Sequence, residues 1–368
     1  MSKVMRTIGL MSGTSMDGID IALLETDGAE HVRRMGGASI AYPEDFRARL
    51  RQALADAAAI VARTDRPGRL AAVERELTDR HAVAVQQFLA ERSLQPGAID
   101  AIGFHGQTVR HEPLAGLTVQ IGDAGLLARE TGIDVVYDLR AADCAAGGQG
   151  APLVPVYHQA LATNVGERPL AFVNIGGVAN ITWIGRDGTL IAFDTGPGSA
   201  HIDDWMLQHT GTARDADGAT AATGHADEAA LRAWLSLPYF SQLPPKSLDR
   251  NSFTLQPVNG LSTADGAATL TAFTAESIAR ARAHFSEQPA LWIVAGGGRR
   301  NRTLMSLLAA RVENAVAPAE AVHLDGDNME AEAWAYLAVR SLRGLPITFP
   351  GTTGVPQPMT GGLVARAP

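Results

Sequence analysis

Three glycine-bearing turns in this chain carry the residue types that a phosphate group needs. They are Ser12-Gly13-Thr14-Ser15-Met16-Asp17-Gly18, Gly176-Gly177-Val178 and Gly296-Gly297-Gly298, each at the end of a short apolar run. Phosphate oxygens are held by several backbone N–H groups at close range, and glycine permits both the approach and a positive φ. Any one of these turns alone also reads as an ordinary hairpin, where glycine is favoured for twist. The first carries more than a hairpin requires. Thr14, Ser15 and the local amides could reach phosphate oxygens, while Asp17 or Asp20 could hold a magnesium ion through water. The first two turns lead into strands and no GxxxxGK[ST] string exists, which excludes a Walker loop. A GxGxxG fingerprint between strand and helix is also missing.

Asp194 is the candidate for chemistry. It follows the apolar run Leu190–Phe193 and opens the string Asp194-Thr195-Gly196-Pro197-Gly198. Ligands of open α/β sheets bind outside the carboxyl ends of strands, and the helix that follows points its positive end at the same place. The alternative is an aspartate that caps that helix. Asp203 and Asp204, inside the helix, read as solvated or paired. His105-Gly106-Gln107-Thr108 lies just past a buried run, and its Gln and Thr offer directional hydrogen bonds suited to sugar hydroxyls or an N-acetyl group. Arg110 or Arg140 could face a carboxylate. His105 reads as well as a satisfied core histidine, and no HExxH-like spacing points to a metal.

These residues need elements to hold them. Alternating apolar positions Ile19, Ile21 and Leu23 predict a strand, with others over Thr7–Met11 and His31–Ala41. Helical spacing follows over Asp45–Arg63 and Arg69–Arg92, then short buried strands to Tyr137. The opening order of strand, glycine turn, strand, strand then recurs from Leu170, about 165 residues on. Such duplication predicts an α/β fold of two lobes with a central cleft. Residues 1–140 with 346–368 form the first expected lobe, and 141–345 the second, the crossing falling in the Gly/Ala-rich stretch after Asp138. Residues 211–268 read as an insertion on the substrate side.

The bulk numbers agree with a soluble two-domain chain: 368 residues, 46% hydrophobic and 19% charged. A net charge of −8 argues against a nucleic-acid partner, which would need a basic face. Cys144, the sole cysteine, permits no intramolecular disulfide or cysteine-based zinc cage, and reads as a packing residue rather than a nucleophile. The first apolar run is too short for a signal peptide and no stretch is long enough to span a membrane, so the chain reads as cytoplasmic with no membrane partner.

Seven ordered strings resemble the anhydro-N-acetylmuramic acid kinases. They are Gly9–Asp20, Gly103–Thr108, Ala145–Leu153, Asn174-Ile175-Gly176-Gly177 with Asn180, Phe193–Gly198, Gly296-Gly297-Gly298 with Asn301, and Met329-Glu330. The resemblance implies the actin/hexokinase/heat-shock ATPase fold, ribonuclease H-like in each half, with ATP and Mg2+ as cofactors and a small amino sugar as substrate. It implies that Asp194 activates water, that Ser12, Gly13, Thr14, Ser15, Met16, Asp17, Gly18, Ile19 and Asp20 serve phosphates, and that Asn174, Gly176, Gly177, Asn180, Gly196 and Gly198 form the second phosphate region. Gly296, Gly297, Gly298 and Asn301 would lie by the adenosine. His105, Gln107, Thr108, Arg140 and Glu330 would serve the sugar, and a homodimer is the implied assembly; within 211–268 only Lys246 is carried over as a candidate, without a stated role. A sugar kinase acting on a free hydroxyl, a nucleotide-driven binding protein of heat-shock type, and a two-carboxylate glycosidase are the competing readings.

Overall fold

The computed structural model describes all residues except 1, 2, 14, 15, 167 and 249–251. Thr14 and Ser15, expected at the first phosphate turn, therefore lie outside the described residues. The chain divides into two compact units, Met1–Thr163 with Asn328–Pro368, and Asn164–Asp327. The changeovers fall at 163/164 and 327/328 instead of 140/141 and 345/346. Side-chain bonds explain the first displacement. Asp143, 2% exposed, accepts Gly150 N–H and Thr353 Oγ1, both at 2.6 Å, and Tyr157 Oη donates to Glu332 at 2.8 Å. Those bonds tie 141–163 to the first unit, and the helix Met329–Leu342 returns to it.

In chain order the strands are β1 (Met5–Met11), β2 (Gly18–Thr26), β3 (Val32–Ala41), β4 (Ala101–Phe104), β5 (Gln107–Glu112), β6 (Leu117–Ile121), β7 (Val135–Tyr137), β8 (Leu170–Ile175), β9 (Val178–Ile184), β10 (Leu190–Pro197), β11 (Leu291–Ala295), β12 (Ala315–Pro318) and β13 (Leu363–Ala365). The first unit's main sheet runs β13-β7-β4-β1-β2-β3, and the second unit's runs β10-β9-β8-β11-β12. In each, three antiparallel strands (β1–β3, β8–β10) are extended by strands parallel to the first: β4 then β7, and β11 then β12. Apart from β13 the two orders are the same, a duplication that accords with the recurring strand–turn–strand–strand pattern of the sequence and with the fold that the resemblance implies.

Alternation along β1 explains its packing. Ile8 and Leu10 are fully buried in a cluster with Leu70, Val73, Leu77, Val85 and Phe88 of the helix Leu70–Glu91. The intervening residues face Met329–Leu342: Thr7 Oγ1 donates to Ala335 O at 3.2 Å, and Trp334 Nε1 donates to Met11 Sδ at 3.2 Å. A Cβ on Gly9 would stand 1.8 Å from Ala331 O, and one on Gly103 2.0 Å from Trp334 O. Here glycine lets a helix backbone lie directly on a sheet backbone.

Several expected elements change on inspection. The predicted helix Asp45–Arg63 stops at Asp56 and passes into a 3-10 turn, Ala57–Ala59, because Asp65 Oδ2 draws the N–H groups of Val61 and Ala62 into a loop at 3.0 and 2.7 Å. Residues 211–268 share a core with the helices Ala200–Thr210 and Thr263–Ala279, in which Trp234 stacks on Phe273 at 4.6 Å and Phe253 meets Phe273 edge-on at 5.4 Å. Cys144 is buried, and burial pushes its thiol up to about 11, which leaves it a packing residue. No helix among the described residues is long and apolar enough to cross a membrane.

Gly9→Ala or Gly103→Ala should lower stability by about 2 kcal/mol or more, since only backbone movement relieves the overlap. Gly97→Ala, whose Cβ meets nothing within 4 Å, should leave the urea midpoint unchanged. Equal midpoints for all three variants would contradict this packing.

Candidate active site

In the first unit, the segment past β4 grips the loop past β1. Ser12 is fully buried; its Oγ donates to Gln107 Oε1 at 2.8 Å and so must accept the hydroxyl of Tyr42 at 2.9 Å. Gln107 Nε2 donates to Gly13 O at 3.1 Å. From the other side Arg47 Nε donates to Met16 O at 3.1 Å, and Tyr42 N–H to Asp17 O at 2.8 Å. Met16 stands at φ +53°, a left-handed position uncommon for a side-chain-bearing residue. Ser12, Gly13, Met16 and Asp17 are thus held from two sides.

His105 is nearly fully buried, and its Nδ1 lies 3.0 Å from Ser12 O and 2.7 Å from Gly106 O. Two carbonyls there fix Nδ1 as the protonated nitrogen, so Nε2 accepts from Arg140 Nη2 at 3.2 Å. Burial first, and the Arg140 charge second, pull the imidazole down to about 3. Arg140 also donates to Gly150 O at 2.8 Å and lies over the Trp334 ring. Gln107 and His105 thus bond the loop and Arg140, His105 in the buried, satisfied setting of a core histidine. Arg110 turns to the carbonyls of Ala57 and Ala58 and pairs with Glu112, which leaves Arg140 as the arginine of this network. Thr108 Oγ1 accepts from Gln120 at 3.2 Å, and Glu330 stands half-buried in the first turn of Met329–Leu342. Asp20 Oδ1 accepts Ser39 Oγ at 2.5 Å on the neighbouring strand, and Asp17 is exposed.

In the second unit, register does the assembling. Asn174 of β8 pairs with Asn180 of β9, and Asn180 with Asp194 of β10, so three polar side chains form one row across the sheet. The β10–β9 register shifts between Asp194 and Gly196, a bulge of the kind that re-aims side chains beside functional sites. The second glycine turn abuts this row. Ser199 N–H donates to Gly176 O at 2.7 Å and Gly198 N–H to Gly177 O at 2.9 Å. A Cβ on Gly198 would meet Gly176 O at 2.2 Å, and one on Gly296 would meet Asn174 Oδ1 at 2.4 Å. The second and third glycine turns, the asparagines and Asp194 therefore gather at one end of this sheet. Arg299, its side chain 6% exposed, anchors the third turn through Gly296 O at 2.8 Å, with Glu320 and Asp327 as its ion partners. Asn301 Oδ1 accepts Leu304 N–H at 2.9 Å and caps the helix Arg302–Val312. The helix that follows, Ala200–Thr210, has Ser199 as its N-cap residue, and Leu248 N–H donates to Asp194 Oδ2 at 2.8 Å.

Comparison with known proteins settles the kinship. The family model described as anhydro-N-acetylmuramic acid kinase matches residues 5–367. A protein of that name from Methylobacterium nodulans is 57% identical, covering 98% of this chain and all of its own length. One from Rhizorhabdus wittichii is 56% identical over 98% and 99% of the two chains, and one from Brucella canis 52% identical over the full length of both. The chain belongs to the anhydro-N-acetylmuramic acid kinase family. Membership makes it an enzyme, a kinase.

Sequence reasoning did not reach Tyr42, Arg47, Trp334 or Tyr239 (whose hydroxyl donates to Asp194 O), which touch candidate residues from distant parts of the chain. None stands in a string with local meaning; each acts through a long-range bond that only folding creates.

Burial also holds His158 near 3, so two imidazoles stay neutral that would titrate at 6.5 in an unfolded chain. Their contribution to stability is complete above about pH 6.5 and is lost as pH falls from there toward 3. Each should cost about 1.4 kcal/mol per pH unit in that interval. Urea midpoints should therefore drop between pH 7.5 and 5, and a flat profile would contradict the assignment.

Proposed function

We propose that this enzyme uses ATP and water to open the internal 1,6-anhydro bridge of anhydro-N-acetylmuramic acid and phosphorylate the released 6-oxygen. The products are N-acetylmuramic acid 6-phosphate and ADP. The observation that carries the reading is the position of Asp194, a carboxylate in a row with Asn174 and Asn180, on a bulge, beside a glycine turn. Asp194 takes a proton from water; the oxygen attacks the anomeric carbon and the C1–O6 bond breaks. The 6-oxygen then attacks the γ-phosphorus, the β–γ bridging oxygen leaves with ADP, and the proton passes from Asp194 to solvent.

Phosphoryl transfer depends on positioning and charge neutralisation. Backbone groups of Ser12–Gly18 and Gly177 serve the phosphates, and Gly296–Gly298 lies by the adenosine. Magnesium is usually held by one or two carboxylates, waters and the substrate's own phosphates, and Asp17 with Asp20 beside the first turn fits that donor set. Bound there it would offset phosphate charge. Thr108, Arg140 and Glu330 face the sugar, Arg140 oriented by His105. A cytoplasmic homodimer is the assembly that goes with this reading, and sedimentation would test the dimer.

Incubation of the purified chain with anhydro-N-acetylmuramic acid and ATP should give ADP and the 6-phosphate in equal amounts. Asp194→Asn should lower turnover ~10²–10⁴-fold with nucleotide affinity nearly intact. Normal turnover by that variant would remove Asp194 from the role of base.

A further inference from the structure

Asp194 lies on β10, the edge strand of its sheet, so its outward main-chain groups have no strand to pair with. A segment of the insertion supplies the partners. Asp194 N–H donates to Lys246 O at 3.0 Å, Tyr239 Oη donates to Asp194 O, and Leu248 N–H donates to Asp194 Oδ2 at 2.8 Å. One stretch of ten residues thus grips the main chain and the carboxylate of the same aspartate.

The stretch is itself closed by a cation. Lys246 is 9% exposed, and its Nζ donates to Tyr239 O at 3.1 Å and Gln242 O at 3.0 Å. The ammonium also lies 4.6 Å from the Tyr239 ring centroid and 5.5 Å from that of Phe193, the residue before Asp194. Withdrawing an ammonium from water is costly unless its donors are met, and an apolar side chain would fill the same space without that cost. What the ammonium adds is a set of directed bonds that bend 239–246 back on itself, Tyr239 and Lys246 both ending on Asp194.

We propose that Lys246 is a positioning residue for the reaction: its ammonium folds Tyr239–Leu248 into the shape in which Leu248 N–H fixes Oδ2 of Asp194. The inference rests on the reading of Asp194 as base. The bond from Leu248 N–H to Oδ2 biases the carboxylate toward one orientation. Misplacement of a reacting group by about 1 Å can cost ~10²-fold in rate.

The test is steady-state kinetics with ATP and anhydro-N-acetylmuramic acid on the full chain, in a double-mutant cycle. Lys246→Met should lower kcat about 10-fold or more with both KM values within about twofold. In an Asp194→Asn background the same change should cost nothing further, because Lys246 acts through Asp194. A kcat near that of the unaltered enzyme, a loss confined to KM, or an undiminished loss in the Asp194→Asn background would each overturn the proposal. Should Lys246→Met not fold, Tyr239→Phe, which deletes only the hydroxyl on Asp194 O, is read by the same cycle. Turnover unchanged by Asp194→Asn sinks the base reading itself. An inactive Asp194→Asn beside an unimpaired Lys246→Met sinks only the present inference.

Discussion

A loop that must offer its amides to a phosphate cannot use them to hold its own shape. Its remaining polar groups have to be satisfied from elsewhere, since buried backbone groups rarely stay unpaired. The candidate site meets that constraint repeatedly. Gln107 holds Gly13, Arg47 holds Met16, Arg299 holds Gly296, and the N-terminus of Ala200–Thr210 holds Gly176 and Gly177. Each of these anchoring groups lies on a carbonyl, and all but Arg299 come from another element of the same unit; the N–H groups of Met16, Gly176 and Gly296 are themselves spent on Gly13 O, Val178 O and Gly326 O.

The duplicated sheet serves this arrangement. In each unit three antiparallel strands put a glycine turn between the first and second, and a parallel strand alongside the first brings another segment to the same end. In the first unit that segment is His105–Gln107; in the second it is Gly296–Gly298. The two are chemically different, one polar and one almost bare backbone, although their places in the sheet correspond.

The insertion 211–268 stands outside this symmetry. Its aromatic cluster packs on the helix Thr263–Ala279, and from that base Tyr239–Leu248 reaches the edge of β10. Edge strands leave hydrogen-bonding groups unpaired, and here those groups belong to the residue with the strongest claim to chemistry. Three bonds to Asp194, involving Tyr239, Lys246 and Leu248, come from this insertion.

The order of strands, the glycine turns and Asp194 were legible in the sequence because each depends on local causes: alternation, φ preference and a polar residue at the end of an apolar run. The resemblance rests on the same short strings. What sequence could not supply was the use made of side chains. Gln107 and His105 bond Ser12, Gly13 and Arg140, Asn301 caps a helix, and 141–163 belongs with the first unit. The joining of Asn174, Asn180 and Asp194 in one row follows from strand register, and Lys246 gains its meaning from a fold of the insertion. Hydrogen-bond partners are chosen by distance in space, and residues 95 or more positions apart become neighbours only when the core has closed.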